Sequence, residues 1–366
     1  INYLEKIQLP TLPSLFGALL AGVDYVLMGA GIPRAIPGIL ESLVSWQEAR
    51  MRITVTGATA EDDFFVSFDP KCFFRSPNLQ SSRLPLKAPR FLAVISSVAL
   101  AKTLARKSTG TGGVHGFVIE HHSAGGHNAP PRGPLKLNDR GQPIYSEKDH
   151  VNLTEIRAIG LPFWLAGSYG SPDMLASALA EGARGIQVGT PFAFCRESGF
   201  EESIKRKVID MVRFDKVEVN TDCRASSSGF PFKILELDDS LSGEEEYSNR
   251  RRICDLGYLR EAYKRDDCSV GFRCPGEPEP LYQIKNGEAD NTSGRKCLCN
   301  ALLASVGLPQ VQVFGESQYI EMPLVTAGES IREIARFIEP GKSDYSARAV
   351  VDVILSSDRH EMSSDD

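Results

Sequence analysis

Short apolar runs that end at glycine or small polar residues, each followed by a helical pattern, recur between residues 22 and 190 of this chain. They read GVDYVLMGAG at 22–31, FLAVISSVALAKTLAR at 91–106, GFVIE at 116–120, FWLA at 163–166 and GIQV at 185–188. Continuous apolar runs are typical of parallel strands that are covered on both faces. The regular alternation therefore predicts an α/β fold with a parallel sheet, either open or closed into a barrel.

The clearest strand–helix–strand unit is predicted over residues 163–190. Its first strand stops at Gly167, and Ser171 then offers a helix N-cap with Pro172 at the first helical position. Gly182 ends the helix, and GIQVGT follows as the next strand. This order is typical of a βαβ unit.

Composition excludes several classes of protein. The chain has 366 residues, of which 42% are hydrophobic, and 41 basic against 47 acidic residues give a net charge of −6. The apolar fraction excludes disorder along the whole chain, and the acidic balance disfavours nucleic acid as the main partner. No apolar run reaches the roughly 18 residues that a membrane span needs. We expect a cytoplasmic protein that acts on a small molecule, and the oligomeric state stays open.

Four stretches interrupt the strand–helix alternation. Residues 52–90 predict an inserted β-hairpin that ends in the loop 76–89, and residues 133–151 predict a long polar loop. Residues 238–252 form a charge-dense segment, which is interpreted as a solvated linker. Residues 356–366 have the composition of a disordered tail.

The first candidate site follows the predicted strand GFVIE and reads EHHSAGGHNAPPRG at 120–133. Loops at the carboxyl ends of parallel strands carry the active sites of α/β folds. Gly125 and Gly126 allow close approach to a flat or phosphorylated ligand, and His127 can act as a general base near neutral pH. Two alternatives are a structural role for His127 and metal binding by the histidines. Metal binding is disfavoured because His121 and His122 would point opposite ways on an extended chain.

The second candidate site combines Ala166-Gly167-Ser168 with Gln187-Val188-Gly189-Thr190, which follow successive strands. Backbone N–H groups of such loops form a phosphate cup in β/α barrels. The alternative is that the glycines only end the strands. The sequence holds no G-x-G-x-x-G dinucleotide motif, no P-loop and no G-x-S-x-G nucleophile elbow.

These motifs carry a resemblance. SAGGHNAPPRG, LAGSYGSPDMLASALAEGARGIQVGTPFAF and SSSGFPFK resemble the nitronate monooxygenase (2-nitropropane dioxygenase) family of FMN-dependent TIM barrels, which is in turn similar to flavin-dependent enoyl-ACP reductases. The resemblance covers most of residues 1–235 and implies that His127 is the catalytic base or acid beside the flavin. It implies the following FMN contacts: Asn2, Gly125, Gly126, Ala166, Gly167, Ser168, Gln187, Gly189 and Thr190.

The chain departs from the family pattern at three places. Ser168 stands where the family usually has a second glycine, and His121-His122 replaces a pair of small residues. The early strand that faces the flavin is not found. Counting back from the matched motifs makes INYL at 1–4 the third barrel strand, so we expect the first two βα units to be missing. The chain opens at Ile1 without Met, and we expect a complete enzyme to be roughly a hundred residues longer.

Five of the eight cysteines lie within a short carboxyl-terminal segment. Four of them, Cys254, Cys274, Cys297 and Cys299, could bind zinc or an iron–sulfur cluster through their thiolates. No C-x-x-C pair is present, so the alternative of reduced cysteines packed in a small extension is favoured.

Taken together, the sequence predicts an α/β protein of the (β/α)8 TIM-barrel type that lacks its first two βα units and has a cysteine-containing extension. Residues 1–237 form the FMN-binding barrel, 238–325 the extension, and 326–366 a closing barrel helix and tail. The predicted function is nitronate oxidation with O2, which gives a carbonyl compound and nitrite. One alternative is an enoyl-thioester reductase that uses NAD(P)H, and the other is a truncated, non-catalytic gene product.

Overall fold

The computed structural model describes residues 1–73, 85–106 and 113–356. Its strands are β1 (Asn2–Leu4), β2 (Tyr25–Gly29), β3 (Ala49–Arg52), β4 (Val55–Thr56), β5 (Phe65–Phe68), β6 (Arg90–Ile95), β7 (Gly116–Glu120), β8 (Phe163–Ala166), β9 (Ile186–Gln187), β10 (Val219–Asp222), β11 (Phe232–Leu235), β12 (Glu261–Lys264), β13 (Val270–Arg273), β14 (Val311–Phe314) and β15 (Ser317–Ile320).

The α-helices are α1 (Thr11–Leu20), α2 (Ile36–Val44), α3 (Pro70–Phe73), α4 (Val98–Ala105), α5 (Leu153–Arg157), α6 (Pro172–Ala180), α7 (Thr190–Ala193), α8 (Glu202–Arg213), α9 (Glu244–Asn249), α10 (Glu279–Ile284), α11 (Leu298–Ala304) and α12 (Ala347–Ile354). Three 3-10 helices lie at Glu147–Asp149, Ala289–Thr292 and Glu329–Phe337. None of the described helices is long and apolar enough to span a membrane.

The chain divides into two compact units. Unit 1 comprises residues 1–119, 151–163 and 258–274, and unit 2 comprises residues 120–150, 164–257 and 275–366. The segment predicted as one extension, 238–325, is thus divided between the two units. The domain boundaries read from the sequence stay a prediction.

The parallel strands lie where the apolar runs predict them. In unit 1, β1, β2, β6 and β7 follow one another as parallel neighbours, with Leu27 opposite both Asn2 and Leu92. In unit 2, β8 and β9 pair in parallel, and Ala166 lies opposite Gln187. The prediction of an α/β protein with parallel strands is confirmed by this pairing, and successive residues of β6 and β7 are buried, as in a strand that is covered on both faces.

Local signals also fix the helices that follow these strands. After β6, the Ser97 side chain accepts a hydrogen bond from the Leu100 backbone N–H and caps α4. After β8, the Ser171 side chain accepts a hydrogen bond from the Met174 backbone N–H and caps α6, with Pro172 at the first helical position. Gly182 then adopts a φ of +83°, the left-handed conformation that ends helices at glycine.

Unit 1 contains the inserted hairpin. Strands β3 and β5 pair antiparallel, and β3 ends at Arg52, where the range predicted for the hairpin begins. Strand β4 pairs in parallel with β12, which joins residues 258–274 to this insertion. The Phe16 ring packs edge-on against Trp46 with ring centroids 5.3 Å apart. Most of the predicted loop 76–89 lies outside the described residues.

Unit 2 has its own apolar core, to which α8, α12 and the 3-10 helix 329–337 contribute buried side chains. The closing helix predicted near residues 345–355 is present as α12, with Ser346 as its N-cap. The antiparallel pair β10 and β11 precedes the charged segment 238–252. The predicted disordered tail falls, except for Ser356, outside the described residues.

The interpretation of residues 238–252 as a solvated linker is wrong in part. Ser240 and Leu241 are fully buried, residues 244–249 form helix α9, and the Arg250 side chain is fully buried in a 2.6 Å ion pair with Glu321. Charge density predicts solvation only when no opposite charge is within reach, and a residue 71 positions away supplies one here.

Candidate functional site

The candidate site lies in unit 2, in the loops that follow β7 and β8. The His121 backbone N–H donates to the Ala166 carbonyl over 2.9 Å, which holds the two loops side by side. Gly167 has a φ of +97°, and a Cβ at this position would stand 2.9 Å from the His121 Cβ. Both the conformation and the space at this loop therefore require glycine.

The two glycines before His127 are backed by a distant segment, residues 326–329. The Gly126 N–H donates to Thr326 Oγ1 over 2.8 Å, and its carbonyl accepts from the Lys233 N–H. A Cβ on Gly125 would lie 2.9 Å from backbone atoms of Ala327 and Gly328. Gly125 thus permits close packing of two backbones, and the Gly126 N–H is already used by the protein.

His127 is held by the loop that precedes β11. Its Nε2 shares a 2.7 Å hydrogen bond with Ser226 Oγ, and its ring packs edge-on against Phe232 at 4.9 Å between centroids. Burial lowers the pKa of the His127 imidazole to about 4, so the ring is neutral at physiological pH. A neutral imidazole can accept a proton at one ring nitrogen and donate a hydrogen bond from the other.

The loops after β8 and β9 leave backbone donors unused. The N–H groups of Ser168, Gly189 and Thr190 make no hydrogen bond within the described part of the chain. A Cβ added to Gly189 would meet no atom within 4 Å, so space is open beside it. The Thr190 hydroxyl, in contrast, accepts from the Gly328 N–H over 2.8 Å and fixes the same backing segment.

A buried lysine neighbours this site. The Lys233 side chain, 1% exposed, donates to Thr221 Oγ1 over 2.6 Å and to Glu329 Oε1 over 2.8 Å. The Glu329 N–H donates to the Ser123 carbonyl, which ties this pair to the loop after β7. Glu120, at the end of β7, has a carboxyl pKa that burial raises to about 7.

The histidines before the glycines form a stack. The rings of His121 and His122 lie 3.9 Å apart, and His122 stacks on Tyr145 at 4.0 Å. The expectation that the two histidines point opposite ways is wrong, because residues 122–126 form a turn followed by bends and not an extended strand. Burial lowers the pKa of His122 to about 4. In residues 1–73, 85–106 and 113–356, no three His, Cys, Asp or Glu side chains converge as a metal site would require.

Two groups of candidate residues are divided between the units. Asn2 lies on β1 in unit 1, so its role as an FMN contact stays a prediction. Cys274 belongs to unit 1, and Cys254, Cys297 and Cys299 belong to unit 2. Cys274 and Cys297 are buried. Their predicted role as metal ligands also stays a prediction.

Unit 2 therefore brings together most of the predicted site residues: Gly125, Gly126, His127, Ala166, Gly167, Ser168, Gln187, Gly189 and Thr190. Free N–H groups and open space beside Gly189 fit a phosphate group at the loops after β8 and β9. Sequence reasoning missed Ser226, Thr326 and Gly328. Ser226 lies in the SSSG run that carried part of the resemblance, whereas nothing local singles out residues 326–329.

Comparisons with known proteins give distant relatives. No family model matches the chain. It is 26% identical over 161 residues to a Rhodococcus jostii protein named (3aS,4S,5R,7aS)-5-hydroxy-7a-methyl-1-oxo-octahydro-1H-indene-4-carboxyl-CoA dehydrogenase. That match covers 44% of this chain and 39% of the relative, so the chain matches less than half of the relative's length.

Solved structures that resemble the chain are also enzymes. They include FabK from Thermotoga maritima (TM-score 0.48, 15% identity, 99% of this chain and 76% of that one). A nitroalkane oxidase from Streptomyces ansochromogenes has a TM-score of 0.44 at 16% identity and covers 95% of this chain and 68% of that one. The enoyl reductase domain of MlnA from Bacillus amyloliquefaciens has a TM-score of 0.48 at 10% identity, over 99% of this chain and 82% of that one.

Proposed function

We propose that this chain is an FMN-dependent oxidoreductase of the (β/α)8-barrel type. The observation that carries the proposal is the placement, within one unit, of a neutral His127 together with two glycine-ended loops whose N–H groups are unused. The loops after β8 and β9 would hold the phosphate of FMN through the N–H groups of Ser168, Gly189 and Thr190. FMN supplies the electron transfer, and the protein supplies orientation, charge and a base.

Within this proposal, His127 is the proton-transferring group. Its neutral imidazole has a free ring lone pair at physiological pH and can take a proton from a substrate, because burial keeps the pKa of the ring well below that range. Gly126 leaves open space on its side-chain face, which admits a flat ligand next to His127. Segment 326–329 fixes the glycine loop in this position through Thr326.

The proposed substrate is an alkyl nitronate, oxidised with O2 to a carbonyl compound and nitrite. The second candidate is reduction of an enoyl thioester with NAD(P)H. Its support is the printed name of the Rhodococcus relative, which is a dehydrogenase of a carboxyl-CoA compound, a thioester. A cytoplasmic location and the absence of nucleic-acid and membrane partners belong to the same proposal.

The experiment has two stages. The purified protein, with FMN added, is first examined for flavin absorbance bands, and their absence after removal of excess FMN supports the non-catalytic alternative. The loaded protein is then mixed anaerobically with an alkyl nitronate or with NAD(P)H. Bleaching by nitronate alone supports the monooxygenase, and bleaching by NAD(P)H alone overturns it in favour of the reductase. His127→Ala should bind FMN but lose at least a hundredfold in kcat/KM, the range for a general acid–base residue.

A further inference from the structure

Two hydrogen-bonded serine hydroxyl groups extend from the His127 ring. Nε2 of His127 is 2.7 Å from Ser226 Oγ, and Ser226 Oγ is 2.7 Å from Ser228 Oγ. Ser226 is fully buried, whereas Ser228 is partly exposed. The two hydrogen bonds therefore lead from a partly buried imidazole, through a fully buried hydroxyl, to a residue that is partly exposed.

Ser226 must donate a hydrogen bond to one of its two partners, His127 and Ser228, and accept one from the other. A serine hydroxyl has one proton to donate and two lone pairs. The Ser228 backbone N–H donates to Ser226 Oγ over 3.1 Å and uses one lone pair. One proton and one lone pair are left for His127 and Ser228, so Ser226 must donate to one of them and accept from the other.

The hydrogen bonds of Ser228 are compatible with either direction of donation, from Ser226 to Ser228 or from Ser228 to Ser226. Ser228 Oγ accepts from the Phe230 N–H over 3.3 Å, and it retains a lone pair and its own proton. It can therefore accept from Ser226 and donate to water, or donate to Ser226. No other hydrogen bond of the His127 ring is made within the described residues, which leaves Nδ1 for a ligand.

The backbone holds this geometry rigidly. His127 forms an antiparallel bridge with Phe232, and the Asn128 N–H donates to the Pro231 carbonyl over 2.9 Å. The Lys233 N–H donates to the Gly126 carbonyl over the same distance. The serine loop is thus fixed at its carboxyl end against the glycine–histidine loop.

We propose that Ser226 and Ser228 form a proton relay that connects His127 with solvent. The relay rests on the proposed function for its role in turnover. When Nδ1 takes a proton from a substrate, the Nε2–H bond breaks and its proton passes to Ser226 Oγ. The Ser226 proton passes to Ser228, and the Ser228 proton passes to water. One proton reaches solvent, and the imidazole ends neutral. The reverse sequence delivers a proton to a substrate.

The test compares Ser226→Ala, Ser228→Ala and the double variant with Ser227→Ala. Ser227 lies in the same run, and its hydroxyl makes no hydrogen bond within the described residues, so it is a matched control. Without any flavin, NMR of protein labelled with 15N in its histidine rings measures how fast the Nε2 proton of His127 exchanges with water. We expect each single variant to slow this exchange at least tenfold, the double variant to add little, and Ser227→Ala to match the wild type. Ser226→Thr, which keeps the hydroxyl, should restore the rate.

Two outcomes overturn the relay. One is an unchanged exchange rate in Ser228→Ala, which would restrict Ser226 to holding the ring. The other is additive effects of the two serine variants. In a relay, either substitution alone already interrupts proton transfer, so the second should add little. Turnover is measured separately: slowed exchange in a protein that neither nitronate nor NAD(P)H reduces keeps the relay and refutes the proposed function. Normal turnover, together with an exchange rate that the serine variants leave unchanged, keeps the proposed function and refutes the relay.

Discussion

Removing one partner of the buried Arg250–Glu321 ion pair should destabilise unit 2 strongly. Both side chains are fully buried, and a single 2.6 Å hydrogen bond from Arg250 Nε to Glu321 Oε1 joins them. Both terminal nitrogens of the guanidinium and Glu321 Oε2 make no hydrogen bond within the described residues. Glu321→Ala would leave the whole guanidinium buried without a partner. We expect a loss of about 3–5 kcal/mol in the free energy of unfolding.

The same geometry predicts the opposite result for the double replacement. Arg250→Met with Glu321→Leu removes the three unsatisfied polar atoms together with both charges, and each such atom costs about 1–3 kcal/mol when buried. We therefore expect the double variant to be as stable as the wild type or more stable by about 1–4 kcal/mol. Urea unfolding followed by circular dichroism measures all three proteins.

The exposed pair Lys102–Glu155 is the matched control for this experiment. Its side chains are 50% and 47% exposed at a separation of 2.6 Å, so Glu155→Ala should cost no more than about 1 kcal/mol. A loss below about 1 kcal/mol in Glu321→Ala, or a double variant as unstable as the single one, would refute the reasoning from burial.

Three further predictions concern the candidate site, and each is measured by urea unfolding. Ser168 has a φ of +61°, so Ser168→Val should cost about 1–2 kcal/mol, while Ser168→Gly should not destabilise the protein; equal losses would contradict the strain. Gly125→Ala should cost about 1–3 kcal/mol because its Cβ meets backbone atoms at 2.9 Å, whereas Gly189→Ala, which meets open space, should stay within about 0.5 kcal/mol. Because the folded-state pKa of Glu120 is raised to about 7, its contribution is fully present below pH 4.5 and is lost as pH rises to 7. Glu120→Gln should therefore remove a decline of about 3 kcal/mol over that range, and an unchanged pH profile would speak against a buried carboxyl.

The local elements were predictable because their signals lie within a few residues of one another. The apolar runs of β2, β6, β7 and β8, the caps Ser97 and Ser171, and the glycine end of α6 all follow from neighbouring residues. The burial of the charged segment 238–252 cannot be predicted from neighbouring residues, because the partner of Arg250 is a glutamate in a distant segment. The order of charges along a chain does not show which of them will find a partner.

For the candidate site, the order of strands and loops and the histidine after two glycines can be read from the amino-acid sequence. The residues that hold these groups in place are visible only in the folded protein. Ser226 is 99 residues from His127, and Thr326 is 200 residues from Gly126. Hydrophobic periodicity and helix capping involve residues that are close in sequence, because the local backbone sets the direction of their side chains. A hydrogen-bonding partner that is distant in sequence is determined by how helices and strands pack against one another, and no local sequence pattern predicts it.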